Sequence, residues 1–105
     1  KNIVVKKLKE LKNKYPIIIG YGAPAKATTF LNYFNIKDEI NYIVEDNNLK
    51  HGKFVPGVKI PIFSKEKIKE KNPLILVLAW NFFEEIKKNN KTLSKNIINI
   101  KSLEK

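Results

Sequence analysis

Cysteine, arginine and methionine are all absent from this 105-residue chain. Without cysteine there are no disulfides and no thiolate metal ligands, and the single histidine, His51, cannot anchor a zinc site unaided. Without arginine, the bidentate base readout on which sequence-specific DNA readers lean is missing. No apolar run approaches the roughly 18–20 residues of a membrane span, and no signal-peptide pattern is present. The chain opens on Lys1 with no initiator methionine, so we expect a piece excised from a longer protein. Taken together, these absences set three expectations: no nucleic-acid partner, no membrane association and a cytoplasmic setting.

What is present describes one small globular domain. Hydrophobic residues make up 43% and charged residues 30%, a composition able to bury a core. The net charge of +11 comes entirely from lysine on the basic side. Such a charge can attract polyanions. Much of the lysine nevertheless falls on faces that should be solvated, in a chain also rich in Ile and Asn. We read most of the charge as background, with a few lysines aimed at phosphate.

Residues 2–14 place Ile3, Val4, Leu8 and Leu11 on one face of an amphipathic helix that ends before Pro16. "IIIGY" (17–21) is short, β-branched and bounded by Pro and Gly, the pattern of a buried strand. "PAKATTFLNYF" (24–34) follows as a helix, with Pro24 in its first turn and Phe30, Leu31 and Phe34 as its apolar face. "EINYIVED" (39–46) is a second strand, and residues 47–57 form a turn-rich loop. "VKIPIF" (58–63) is a proline-interrupted edge strand. Residues 64–71 are a short helix with Ser64 as N-cap. "NPLILVLAW" (72–80) is the strongest buried strand. Residues 81–91 are a helix with Asn81 and Glu84 at capping-box spacing, and "KNIINI" (95–100) is a last strand. Strands alternate with helices. The expected fold is therefore α/β: a small Rossmann-like, three-layer domain on a mostly parallel sheet of about five strands.

Residues 20–25 read G-Y-G-A-P-A, a match to G-x-G-x-x-G/A between a strand and a helix. Gly20 would allow the tight turn and Gly22 the close approach of backbone N–H groups to an anion. The helix N-terminus and Lys26 would add positive charge. Glu45 and Asp46 close the second strand about 20 residues on, where dinucleotide folds place a ribose-binding carboxylate. The same glycines can serve packing alone. A phosphate cradle and a plain structural turn both remain open on these residues, and nothing among them selects the nucleotide.

Three segments narrow the choice: "GYGAPAKATTFLNYFNI" (20–36), "VEDNNLKHGKFVPGVKIPIF" (44–63) and "LVLAWNFFEEI" (76–86). In this order and spacing they resemble the C-terminal domain of the S-adenosylmethionine-dependent sugar C-methyltransferases, which methylate carbon atoms of nucleotide-linked deoxysugars. The resemblance runs from about Tyr15 to Ile100. It implies a parent protein with an N-terminal zinc segment, a central domain that holds S-adenosylmethionine and the catalytic His/Tyr groups, and this Rossmann-like domain, which helps to bind the nucleotide-sugar. S-adenosylmethionine and zinc are implied for the missing domains, and no cofactor for this chain.

Carried over from the resemblance, the substrate-binding candidates are Gly22, Ala23 and Lys26 in the glycine loop, Asp46 at the end of the second strand, Lys50 and Lys53 in the loop that also holds Gly52, Pro56 and Gly57, and Trp80 with Asn81 in the WN block. Thr28 stands where the family has Asn, after Ala27 in place of Gly, and Glu45 stands for the first residue of an Asp-Asp pair. Simpler roles are weighed beside these. Trp80 can be a core or interface aromatic, Asn81 a helix cap and His51 an exposed loop residue. No catalytic residue is expected here, so the isolated chain should be inactive. Its partners would be a nucleotide-sugar and the missing methyltransferase domain. The rival readings are an NAD(P)-binding domain of an oxidoreductase, and a packing module whose helix 2–14 and glycine loop only contact another domain.

Overall fold

The computed structural model describes residues 2–22, 25–46, 49 and 51–104, with the backbone alone for Asn2 and Lys26. In chain order the elements are α1 (Asn2–Lys14), β1 (Ile18–Tyr21), α2 (Ala25–Tyr33), β2 (Tyr42–Val44), β3 (Ile62–Phe63), β4 (Leu74–Val77), α3 (Phe83–Asn89) and β5 (Asn96–Asn99). Short 3-10 turns occupy Lys65–Lys67, Trp80–Phe82 and Ile100–Glu104. The strands form one sheet in the order β3-β2-β1-β4-β5, and every pair is parallel.

The sequence explains why both faces of this sheet are covered. β1 and β4 are continuous apolar runs, and all their residues are buried. Alternation sends Ile18, Ile43, Leu74 and Leu76 to one face, where they pack with Val4, Leu8, Phe30, Leu31, Ile100 and Leu103. Ile19, Tyr21, Val44, Ile75, Val77 and Ile97 go to the other, against Phe83 and Ile86 of α3. Helices α1 and α2 with the C-terminal turn form one outer layer, and α3 forms the other. Leu8 is fully buried, and truncating such a side chain to Ala costs about 2–5 kcal/mol. The apolar face of α1 is thus part of this domain's own core. Only Ile3 departs from the expected face, at 58% exposure.

The short elements depart from expectation for identifiable reasons. β2 is Tyr42–Val44 rather than 39–46. The side-chain oxygen of Asn41 accepts the Ile18 N–H at 2.9 Å, the place that a strand carbonyl would fill. Ser64 does cap, accepting the Glu66 N–H at 3.2 Å, but only the turn Lys65–Lys67 forms behind it. "SKEKIKEK" has a single apolar residue, Ile68, so a longer helix would have no face to bury. α3 begins at Phe83, and Asn81 is not its cap. The Phe82 N–H already donates to the Ala79 carbonyl at 2.9 Å, so the chain is turning before Asn81, and no side chain caps α3. The loop before β3 is partly ordered by pairing. Gly52 N–H donates to the Ile62 carbonyl at 2.9 Å, Ile62 N–H donates to the Lys53 carbonyl at 2.8 Å, and Phe54 bridges antiparallel to Pro61.

Candidate functional site

The strand order creates a crevice. From β1 the chain moves outward to β2 and β3, then returns to lay β4 on the other side of β1. In such sheets ligands bind outside the carboxyl ends of the strands at this switch point. Here the switch lies between the end of β1, Tyr21–Gly22, and the residues after β4, Leu78–Ala79–Trp80. The Leu78 and Ala79 N–H groups both reach the Tyr21 carbonyl, at 2.9 and 3.4 Å.

Gly22 makes the turn out of β1. Its φ is +88°, a region that glycine enters without strain, and its N–H donates to the Val44 carbonyl at 2.8 Å. A Cβ at Gly22 would stand 3.0 Å from the Cβ of Ala79, so glycine lets the chain leave β1 close beside the segment that follows β4. Gly20 is not the turn residue. It lies within β1, where a Cβ would meet Leu78 Cδ1 at 2.8 Å and Ile43 Cγ1 at 3.0 Å. Its role is to leave room for Leu78. α2 starts at Ala25, with Lys26 in its first turn, so the helix N-terminus follows directly on the glycine loop. The Lys26 side chain, Ala23 and Lys50 lie outside the described residues.

Trp80 opens the turn that follows β4. It is half-buried, packs on the α1–α2 core and tilts against Phe30 at 6.1 Å between ring centroids. Lys101 Nζ lies over its ring at 4.9 Å, and the Asn99 side-chain amide donates to its carbonyl at 3.4 Å. Thr29, Phe30, Tyr33, Phe34 and Trp80 line an open, largely aromatic hollow of about 370 Å³. Trp80 also borders a second, more polar hollow of about 400 Å³ that includes Asn81, Glu84 and Asn99. Part of Trp80 is therefore core, as weighed for it, and part borders open space.

Asp46 lies beyond the end of β2 and is held there. The Tyr21 hydroxyl donates to both of its carboxylate oxygens, at 2.9 and 3.0 Å. Lys65 Nζ approaches the same carboxylate at 3.7 Å and the Asn90 side-chain oxygen at 3.4 Å. Burial, and then the Asp46 carboxylate beside it, push the Tyr21 phenol well above its ordinary value. Sequence reasoning missed both Tyr21 and Lys101. Tyr21 looked like one more apolar strand residue, and nothing local announced a partner 25 residues later.

The remaining candidates are more dispersed. Thr28 is half-buried in α2, and its carbonyl accepts the Asn32 side-chain amide at 2.8 Å. Lys53 is exposed on the ribbon beside β3. Asn81 is exposed in the turn after Trp80. His51 is not the exposed residue expected: it is half-buried, and its Nε2–H donates to the Glu45 carbonyl at 2.6 Å. That bond uses a nitrogen a metal would need, and no group of three or more His, Cys, Asp or Glu gathers among the described residues. No helix among them is long and apolar enough to cross a membrane.

The structure has a parallel sheet with a glycine turn at the switch point, a helix N-terminus after it and a turn over Trp80–Phe82 after β4. The family profile described as the C-methyltransferase C-terminal domain matches residues 1–100. The chain belongs to this family. It is similar to the C-methyltransferase NovU of Streptomyces niveus, at 38% identity over 81 residues. That match covers 75% of this chain but 19% of NovU, so most of the relative's length lies outside the match. Within this C-methyltransferase C-terminal domain, Gly22, the N-terminus of α2 and Trp80 follow the carboxyl ends of the neighbouring strands β1 and β4. Asp46 stands one strand further along the same carboxyl edge.

Proposed function

We propose that this domain binds the nucleotide end of a nucleotide-sugar and orients the sugar for methylation by the rest of its parent protein. The observation that carries the reading is the glycine turn at the β1/β4 switch point, where Gly22 leaves β1 toward the N-terminus of α2 and the chain after β4 runs on to Trp80. A diphosphate would lie against the glycine loop and the first turn of α2. There, backbone N–H groups, the helix dipole and Lys26 favour negative charge. Trp80 and the aromatic hollow beside it offer a flat apolar surface for a ring.

In this reading the chain's contribution is positional. Holding the nucleotide end fixes where the sugar carbon lies, which turns an encounter into an oriented approach. The methyl donor, S-adenosylmethionine, and any structural zinc are assigned to the remainder of the parent protein. The chain's own donor set, without cysteine and with its one histidine bonded to Glu45, does not suit a zinc site.

Isothermal titration at low salt tests the reading with thymidine or uridine diphosphate sugars beside NAD and NADP. With only part of the cleft present, sugar nucleotides should bind in the millimolar to high-micromolar range, roughly −4 to −6 kcal/mol. Nanomolar NAD binding with no response to a sugar nucleotide would overturn it in favour of a dinucleotide domain.

A further inference from the structure

We propose that Tyr21 is a positioning residue for ligand binding: its phenol fixes the Asp46 carboxylate at the carboxyl edge, oriented to accept hydroxyl protons from the sugar part of a bound nucleotide. The inference deepens the nucleotide-sugar reading and rests on it.

Tyr21 ends β1 with its ring in the α3-side core, 2% exposed, yet its hydroxyl reaches the rim. The hydroxyl has one proton, and both Asp46 oxygens share it, at 2.9 and 3.0 Å. The carboxylate is thus held on its inner side, while its side chain keeps 63% exposure on the outer side. An ionised carboxylate accepts about four hydrogen bonds, so the Tyr21 bond leaves acceptor capacity facing solvent. Lys65 at 3.7 Å adds a second hold from the turn after β3. Asn90, 4% exposed, closes the network from behind. Its side-chain oxygen lies 3.5 Å from the Tyr21 hydroxyl, and its amide donates to the Ile86 carbonyl at 2.8 Å. Four parts of the chain, β1, the end of β2, the turn after β3 and the end of α3, therefore converge on one exposed carboxylate. Such a device resembles the orientation of a ligating group by its outer partners more than a surface ion pair. An acceptor held in this way suits hydroxyl donors and repels phosphate. The sugar of the nucleotide would lie toward Asp46, and its phosphates toward Gly22 and α2.

A double-mutant cycle tests this. A uridine diphosphate sugar is titrated into the wild type, Asp46→Asn, Tyr21→Phe and the double variant, with thermal melts run alongside. Each single change should weaken binding about tenfold, and the double variant should bind no worse than Asp46→Asn alone, because Tyr21 acts through Asp46. Additive losses, about a hundredfold in the double variant, would overturn the positioning role. A second readout needs no variant: the Tyr21 hydroxyl proton, followed by NMR in the wild type, should shift on saturation with the sugar nucleotide. If binding saturates while that proton and the Asp46→Asn affinity stay unchanged, the inference falls and the nucleotide-sugar reading stands. If the wild type binds no sugar nucleotide, both fall.

Discussion

Asn32 and Gly57 are packed face to face, joining α2 to the loop that carries the PGVKIPI stretch. The Asn32 amide donates to the Pro56 carbonyl at 2.8 Å, and a Cβ on Gly57 would fall onto the Asn32 side chain. Gly57 also has φ +87°, where a side chain is strained whatever the space. Gly57→Ala should therefore destabilise the domain by about 2–3 kcal/mol, from backbone strain of roughly 1–2 plus the displaced bond. In urea melts, Asn32→Ala should recover the steric share but not the backbone share. Equal stability of Gly57→Ala and wild type would show that this contact does not hold the loop.

Lys26→Ala probes the phosphate end of the cleft. A charge-assisted contact to phosphate is worth on the order of 1.5–3 kcal/mol, whereas a lysine in the first turn of a helix contributes far less to folding. Calorimetry should show sugar-nucleotide affinity falling about tenfold or more with little change in melting temperature. A variant that unfolds, or one that binds normally, would place the anion elsewhere.

Alkaline pH should weaken the fold through its tyrosines. Burial, followed by the Asp46 bond for Tyr21 and the Glu70 bond for Tyr42, raises both phenols above the ordinary value of 10.0. The folded chain then keeps its phenol protons at a pH where the unfolded chain has lost them. This stabilisation is fully present below pH 10.0, the value in the unfolded chain, and is lost as pH rises toward the folded value. For Tyr21 the slope is at most about 1.4 kcal/mol per pH unit. The lysines also begin to titrate there, so the informative quantity is the difference between wild type and Tyr21→Phe. Urea melts from pH 8 to 11 should show the variant losing less stability above pH 10. Parallel curves would contradict the raised phenol pKa of Tyr21.

Trp80 separates packing from binding. Truncating a buried Trp side chain to Ala costs about 3–5 kcal/mol, and the mostly buried Trp80 ring belongs at the lower end of that range. Trp80→Ala should cost about 3 kcal/mol, or roughly 15 °C in melting temperature for a domain of this size. Trp80→Phe should keep most of the stability. As the only tryptophan in the chain, its emission should quench or shift when a sugar nucleotide binds. Unchanged emission at a concentration that calorimetry shows to saturate the domain would assign Trp80 to packing alone.

The long elements were legible because their apolar pattern has one solution. Asn2–Lys14 forms a helix over the expected residues, and "LILV" is a buried strand because its run is too apolar to face water. Short elements were less legible because a single distant partner decides them. Asn41 trims β2 through a bond to Ile18, and Asn81 loses its capping role because the Ala79 carbonyl closes the turn first. The glycine motif marked the turn out of β1 but misassigned its parts. Gly22 makes the turn, while Gly20 makes room for Leu78, a residue 58 positions later that local reading could not place. The Tyr21–Asp46 and Trp80–Lys101 pairs were invisible for the same reason: sequence periodicity gives the face of an element and not the residue opposite it.

The most direct test of the account is a two-dimensional amide and indole NMR titration of this chain with a thymidine or uridine diphosphate sugar. Binding at the β1/β4 switch point predicts shifts at Gly22, Lys26, Asp46, Ala79 and the Trp80 indole, with the opposite edge of the sheet unaffected. Shifts confined to the hollow between α1 and the C-terminal turn, around Lys7, Leu11 and Leu103, or no shifts at all at millimolar ligand, would contradict it.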